Sequence, residues 1–367
     1  MNTALRFSLL ASGVAILAGC SNSHPGVSFA VDPNYHPIMS TRPQTATDTV
    51  AIVKLTEPPL LATLKIVDGK KTVDPARAEA VKAEQDAIIA KMQAISPKIQ
   101  VLYRYRLVAN GLAIVAPLET LPALRALGNV AYVEVQTSFT RPVLAETSAP
   151  GATLLERTSV KFIGATDAQA RGIRGQGMKV GVLDTGIDYT HSMFGGAGTA
   201  DAYKAIDPSK ETTSFPTAKV VGGIDLVGTE YNSASADYSK RTPKVDSNPL
   251  DEGGHGSHVA GTVAGLGDGA KSYDGVAPDA LLYAIKVFGA DGSTGDAVVV
   301  AGLEYSADPN ADLNLDDKLD VVNLSLGSSF GSPHILYTEA MGHLSRGGTV
   351  VVASAGNSGD NDYIVGA

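Results

Sequence analysis

The sequence predicts an α/β fold: a parallel-sheet domain over residues 161–367, preceded by a smaller α+β domain of ferredoxin-like strand order over residues 49–138. Three observations predict it. Hydrophobic residues make up 44% of the 367 and charged residues 18%, the balance of a soluble globular chain with enough apolar material for more than one core. The 39 glycines fall largely beside short apolar runs, where strands end in tight turns or backbones pack closely. The elements of the first half follow the order β-α-β-β-α-β.

Charge and cysteine content remove several classes. With 29 Lys+Arg against 38 Asp+Glu the net charge is -9, so the basic surface that a phosphate backbone requires is not expected and nucleic acid is excluded as a partner. The one cysteine, Cys20, rules out an intramolecular disulfide and a cysteine-rich zinc site.

Taken in order, residues 1–20 read as an export signal: Arg6, then an apolar stretch from Phe7 to Gly19, then Cys20. The stretch is shorter than the ~20 residues of a spanning helix. Residues 21–48, with His24-Pro25, Asp32-Pro33, His36-Pro37 and Arg42-Pro43, read as a tether. Ala51–Leu55 is a strand, and Asp74-Pro75 is an N-cap followed by proline at the first helical position. Val81, Ile88, Met92 and Ile95 share one face of the helix that follows. Val101, Tyr103, Tyr105 and Leu107 alternate with Arg104 and Arg106, which predicts a strand with one charged face. Asn110-Gly111 predicts a type I′ turn into a returning strand from Leu112 to Val115. A short helix over Glu119–Leu127 and a strand over Val130–Val135 complete the unit. It contains no catalytic constellation, so by itself it reads as a binding or oligomerisation module. Residues 139–160, with Thr140-Arg141-Pro142 and Ser148-Ala149-Pro150-Gly151, form a linker.

The chemistry lies further on. The run Met178–Leu183 stops at Asp184-Thr185-Gly186, which sets Asp184 at the carboxyl end of a strand, where α/β sheets carry functional groups. The same Asp could also cap a following helix. His255 stands at the entry of a helix in which Gly256, Ala260 and Ala264 recur every fourth residue, leaving one face bare for close packing. A zinc ion held by His255 and His258 is disfavoured, because their spacing is i, i+3 and no Glu follows His255. Val321–Gly327 reads as a strand whose final residues, Leu324, Ser325, Leu326 and Gly327, offer an edge for pairing with an extended peptide. Thr349–Ala353 reads as a buried strand delivering Asn357, whose amide could donate to a developing oxyanion or could simply make a turn.

Asp184-Thr185-Gly186, then His255-Gly256-Ser257-His258-Val259-Ala260-Gly261-Thr262, then Ala355-Gly356-Asn357, in that chain order, resemble the motifs of subtilisin-like serine proteases from about Lys161 to Ala367. The resemblance implies that Asp184 orients and stabilises His255, that His255 is the general base and that Asn357 holds the oxyanion. Replacing His255 is expected to abolish activity and replacing His258 mainly to affect folding. The resemblance further implies polypeptide substrates lying along Leu324–Gly327. It casts the first domain as an inhibitory propeptide, cut off between Thr140 and Thr158. The family's nucleophile lies in a Gly-Thr-Ser-Met-Ala segment beyond the oxyanion Asn, and the 367 residues contain no such segment. The chain is therefore expected to be a fragment, inactive alone, with apolar strands such as Val350–Ala353 incompletely covered.

Leu17-Ala18-Gly19-Cys20 resembles a bacterial lipobox, which implies lipidation of Cys20 and an outer-membrane or extracellular location, with membrane contact through the lipid. Asp246–Asp251 and Asp308–Asn314 resemble segments of larger secreted members of the family. The alternation of Asp308, Asn310, Asp312 and Asn314 resembles half of a calcium loop, but Leu313 replaces the turn glycine and Leu319 the bidentate Glu. A solvated acidic loop is the favoured reading. Calcium is then at most a structural ion, and no cofactor is expected for the chemistry. The competing reading is a non-enzymatic lipoprotein whose degenerate protease scaffold serves as a binding or inhibitory module.

Overall fold

The computed structural model describes residues 45–140, 156–267, 274–327 and 335–357; the export signal with Cys20, nearly all of the tether and most of the linker lie outside the described residues. The N-terminal unit is an antiparallel sheet of four strands in the spatial order Gln100–Tyr105, Gly111–Pro117, Asp48–Leu55, Val130–Val135. With helices Pro75–Ile95 and Leu121–Arg125 it has the ferredoxin-like connectivity that the element order predicts. Asp74 caps the longer helix, its carboxylate accepting from the Ala76 N–H at 3.1 Å. Val81, Ile88 and Met92 are buried on its inner face, while Ile95, the last residue of the helix, is exposed.

One face of the strand Gln100–Tyr105 carries Arg104, which reaches Asp86 on the covering helix at 2.6 Å. On the other side the Tyr103 and Tyr105 hydroxyls donate to the Leu226 and Ala297 carbonyls of the C-terminal unit, each at 2.7 Å. One detail differs from expectation: Asn110 and Gly111 do not form a two-residue turn. Tyr105 pairs with Gly111, so residues 106–110 form the loop, and Asn110 is wholly buried. Its amide donates to the Glu57 carbonyl at 3.1 Å and to Glu84 at 2.9 Å and accepts from Gln85 at 3.1 Å, which makes it a core polar group. A small hairpin, Lys65–Val67 with Lys70–Thr72, occupies a stretch to which the sequence assigned nothing.

The C-terminal unit is built on five parallel strands in the order Val350–Ala353, Val321–Leu324, Lys179–Asp184, Leu281–Lys286, Val220–Asp225. The first strand in the chain is central. The chain winds outward on one side and then returns to the other, so the winding reverses at the carboxyl end of Lys179–Asp184, where α/β sheets bind their ligands. Among the described residues Val350–Ala353 is paired on one side only, with Val350 58% and Val352 47% exposed, which corrects the expectation of a buried strand.

Helix Asp296–Ala307 is buried along its whole length. An all-round apolar helix needs cover on every side. The sheet supplies one, with Leu183 and Ile285 against Gly302, and the N-terminal unit supplies another. There the buried Glu304 carboxylate accepts the backbone N–H groups of Arg106, Leu107 and Val108 at 2.5, 2.7 and 2.8 Å. Among the described residues no helix is long and apolar enough to cross a membrane.

Candidate active site

Asp184 ends the central strand fully buried, and one of its oxygens accepts the Thr185 N–H at 2.7 Å. The helix His255–Ala264 starts directly against that turn. A side chain at Gly256 would place its Cβ 2.1 Å from the Gly186 carbonyl oxygen, so only glycine allows the approach. Gly256, Ala260 and Ala264 are buried, as their spacing predicts. Close packing brings His255 Nδ1 to 2.8 and 2.9 Å from the two oxygens of Asp184. Burial pushes the Asp184 carboxyl above the usual carboxylate range, while the hydrogen bonds from His255 and the Thr185 N–H oppose that rise. With Nδ1 bound to the carboxylate, Nε2 is the nitrogen through which His255 can exchange a proton with a reactant.

Lys286, on the neighbouring strand, lies in register with Asp184 on one side and Asp225 on the other. Its ammonium is wholly buried, 3.0 Å from Asp225 and 2.7 Å from Glu252. Burial depresses it, but the two carboxylates outweigh this and hold it above the usual lysine value, so it remains a cation under the site. Beside the helix entry lies a cavity of about 640 Å³ walled by Met193, Phe194, Tyr203, Glu252 and Ser257. His258 also lines it and is exposed, so burial gives no reason for its replacement to disturb folding.

Asn357 lies past the carboxyl end of an edge strand two places from Asp184 and is exposed. The structure thus joins Asp184 to His255 directly and leaves Asn357 at the same edge of the sheet. The expected peptide edge, Leu324–Gly327, begins at the end of an inner strand. Val321–Leu324 has neighbours on both sides, so Leu324 has no open edge, and the side chains of Leu324 and Leu326 are buried in the core. Ser325 and Gly327 lie beyond the last paired residue, with the Asn323 amide donating to the Ser325 hydroxyl at 2.9 Å.

A second edge of the unit carries an extended segment. Ser138–Thr140 runs antiparallel to Ser293–Gly295, with Phe139 opposite Thr294. The Phe139 ring is buried, 6.1 Å from that of Tyr337. Asp296 extends the ladder, its N–H donating to the Thr137 carbonyl at 3.1 Å and its carboxylate accepting the Thr137 N–H at 3.2 Å. Sequence reasoning missed this edge. The signal was the run of small residues Gly292-Ser293-Thr294-Gly295 after the apolar strand Leu281–Lys286.

Among the described residues three carboxylates lie close enough together that they could share a cation: Asp308, Asp312 and Asp317, with oxygens within 4.8 Å of one another. Asp308 is not solvated as expected; it is buried, accepts the Asp312 and Leu313 N–H groups at 3.2 and 2.7 Å, and is pushed up to about 7 by burial.

Fold and site together define a subtilisin-like α/β protein: a parallel sheet with a buried Asp–His pair where its winding reverses. Residues 175–367 match the subtilase family model. The chain belongs to the subtilase family. Among curated relatives, the minor extracellular protease Vpr of Bacillus subtilis (strain 168) is 31% identical over 328 residues, 88% of this chain and 35% of that protein. Subtilisin DY of Bacillus licheniformis is 35% identical over 203 residues, 55% of each. M-protease of Shouchella clausii (strain KSM-K16) is 29% identical over 282 residues, 77% of this chain and 57% of that protein. The chain thus spans from about a third to somewhat over half of these relatives' lengths. With 88% of the chain covered, the similarity to the first extends well into the N-terminal unit.

Proposed function

We propose that this chain is the N-terminal part of a serine endopeptidase precursor that hydrolyses peptide bonds in polypeptides. The observation that carries the reading is the buried Asp184 with both oxygens within hydrogen-bond distance of His255 Nδ1. In this reading Asp184 fixes the imidazole tautomer and stabilises the imidazolium, and His255 takes the proton of a serine as that serine attacks the scissile carbonyl. The serine would come from a Gly-Thr-Ser-Met-Ala segment, which these 367 residues do not contain. The Asn357 amide would donate to the oxyanion that forms. The N-terminal unit would be the propeptide, with Ser138–Thr140 occupying the edge where substrate pairs, and Ser325–Gly327 would border the same cleft. Export with lipidation at Cys20 fits this role, as does the name of the extracellular relative.

The test is peptide hydrolysis by the 367-residue chain and by the product of its whole gene, with and without a serine-directed covalent inhibitor. Inhibitor-sensitive turnover is expected only from the latter and is expected to vanish in His255→Ala. Inhibitor-sensitive turnover by the 367 residues alone would overturn the assignment of the nucleophile.

A further inference from the structure

We propose that Asp251 is the positioning residue that holds His255 against Asp184, an inference that rests on reading those two as the base and acid of the triad. Asp251 is 3% exposed. Its Oδ1 accepts the Thr185 hydroxyl at 2.7 Å and the N–H groups of Gly253 and Gly254 at 2.8 Å each. Its Oδ2 accepts the N–H of Ser257 at 2.8 Å and the Ser257 hydroxyl at 2.6 Å.

The first N–H groups of a helix have no partner within it, and a carboxylate there satisfies them and faces the positive end of the helix dipole. Contacts to Gly253, Gly254 and Ser257 alone would amount to capping. The Thr185 contact does more. Thr185 directly follows Asp184, and its hydroxyl donates to Asp251 while accepting the N–H of Gly256, the residue after His255, at 2.8 Å. The Ser257 hydroxyl, which donates to Asp251, in turn accepts the Asp188 N–H at 2.8 Å. The strand exit 184–188 and the helix entry 253–257 are therefore stitched together on both sides of the Asp184–His255 hydrogen bond, through groups that converge on one carboxylate.

Buried hydrogen bonds to a charged acceptor are the strong ones. Sliding the helix along the strand would break several of them at once, which keeps Nδ1 at 2.8 and 2.9 Å from the two oxygens of Asp184. An asparagine at 251 has the right size but only one accepting oxygen, so it must release either the Thr185 side or the Ser257 side.

The readout is the His255 Nδ1–H proton, which resonates well downfield of the amides when shared with a carboxylate. It is followed in the 367-residue chain carrying ¹⁵N-labelled histidine and assigned by its loss in His255→Ala. The wild type is expected to give the resonance and Asp184→Asn to abolish it. Asp251→Asn is expected to move it upfield and to speed its exchange with water by about tenfold or more, through easier local opening. Asp251→Glu is expected to restore part of the protection.

Asp74→Ala, which removes the cap of the remote helix Pro75–Ile95, is expected to lower stability while leaving the resonance in place, so general destabilisation does not mimic the effect. Should Asp251→Asn fail to fold, Thr185→Val, which cuts the strand's hydroxyl links to Asp251 and to the Gly256 N–H, carries the same expectation. A wild-type resonance that stays unmoved in Asp251→Asn, or in Thr185→Val where the former does not fold, overturns the positioning role and leaves the Asp184–His255 reading intact. Absence of the resonance from the wild type overturns that reading and this one with it.

Discussion

At the scale of single residues, the buried charges do the most and are the most exposed to test. Asp184→Asn keeps the shape of the site but presents an amide to Nδ1, which favours the wrong imidazole tautomer; in the proposed full-length protease kcat is expected to fall by about 10⁴-fold with little change in folded yield. Steady-state kinetics on the purified variant is the check. Lys286→Ala acts differently. It leaves Asp225, itself wholly buried, without its counter-charge, and breaking such a pair from one side costs about 3 kcal/mol or more. Denaturant unfolding is expected to show that loss, and an unchanged midpoint would contradict the role given to Lys286. Asp184 and His255 were legible in the sequence because short motifs with glycine at fixed offsets announce them. Lys286 was not: it closes an otherwise apolar strand, and only the register of three strands puts it between carboxylates.

At the scale of elements, the helix Asp296–Ala307 presents two acids to the N-terminal unit, and both are pushed up by burial. For Asp296 the shift is from 3.8 to about 7. Between those values the folded protein holds a proton that the unfolded chain has released. The contribution of Asp296 to stability is therefore greatest below about pH 4, declines as pH rises toward 7 and is level above that. Glu304 acts in the same direction. Asp296→Asn is expected to flatten the fall of the thermal midpoint between pH 4 and 7 relative to the wild type; parallel curves for the two proteins would refute the assignment. The strands and helices of the N-terminal unit could be read in order because alternation, capping and periodicity are local signals. The Asn110 loop was misread for the same reason: the acceptor of its neighbours' N–H groups is Glu304, almost two hundred positions along the chain.

At the scale of the whole molecule, the sequence announced the parallel α/β fold class but said nothing of how the N-terminal unit sits on the C-terminal one. Docking depends on tyrosine hydroxyls, a buried glutamate and a three-residue ladder, and none of these has a recurring spacing to betray it. If the N-terminal unit is a propeptide, N-terminal sequencing of the processed protein is expected to find a start between Thr140 and Thr158. A start within Val180–Asp184 would cut away the central strand and refute that division.

The ladder between Ser138–Thr140 and Ser293–Gly295 has one further consequence, which is kinetic. While a continuous chain joins the two strands, each meets the other at a local concentration that short tethers set in the millimolar range, and no amount of dilution separates them. Once the connecting stretch is cut, the same contact becomes an encounter between two molecules. Release then depends on how much protein is present: a dilute sample sheds the N-terminal unit readily, whereas a crowded one keeps recapturing it. The cut would start a clock whose rate is set by protein concentration, and a lag before activity that shortens on dilution would be its signature.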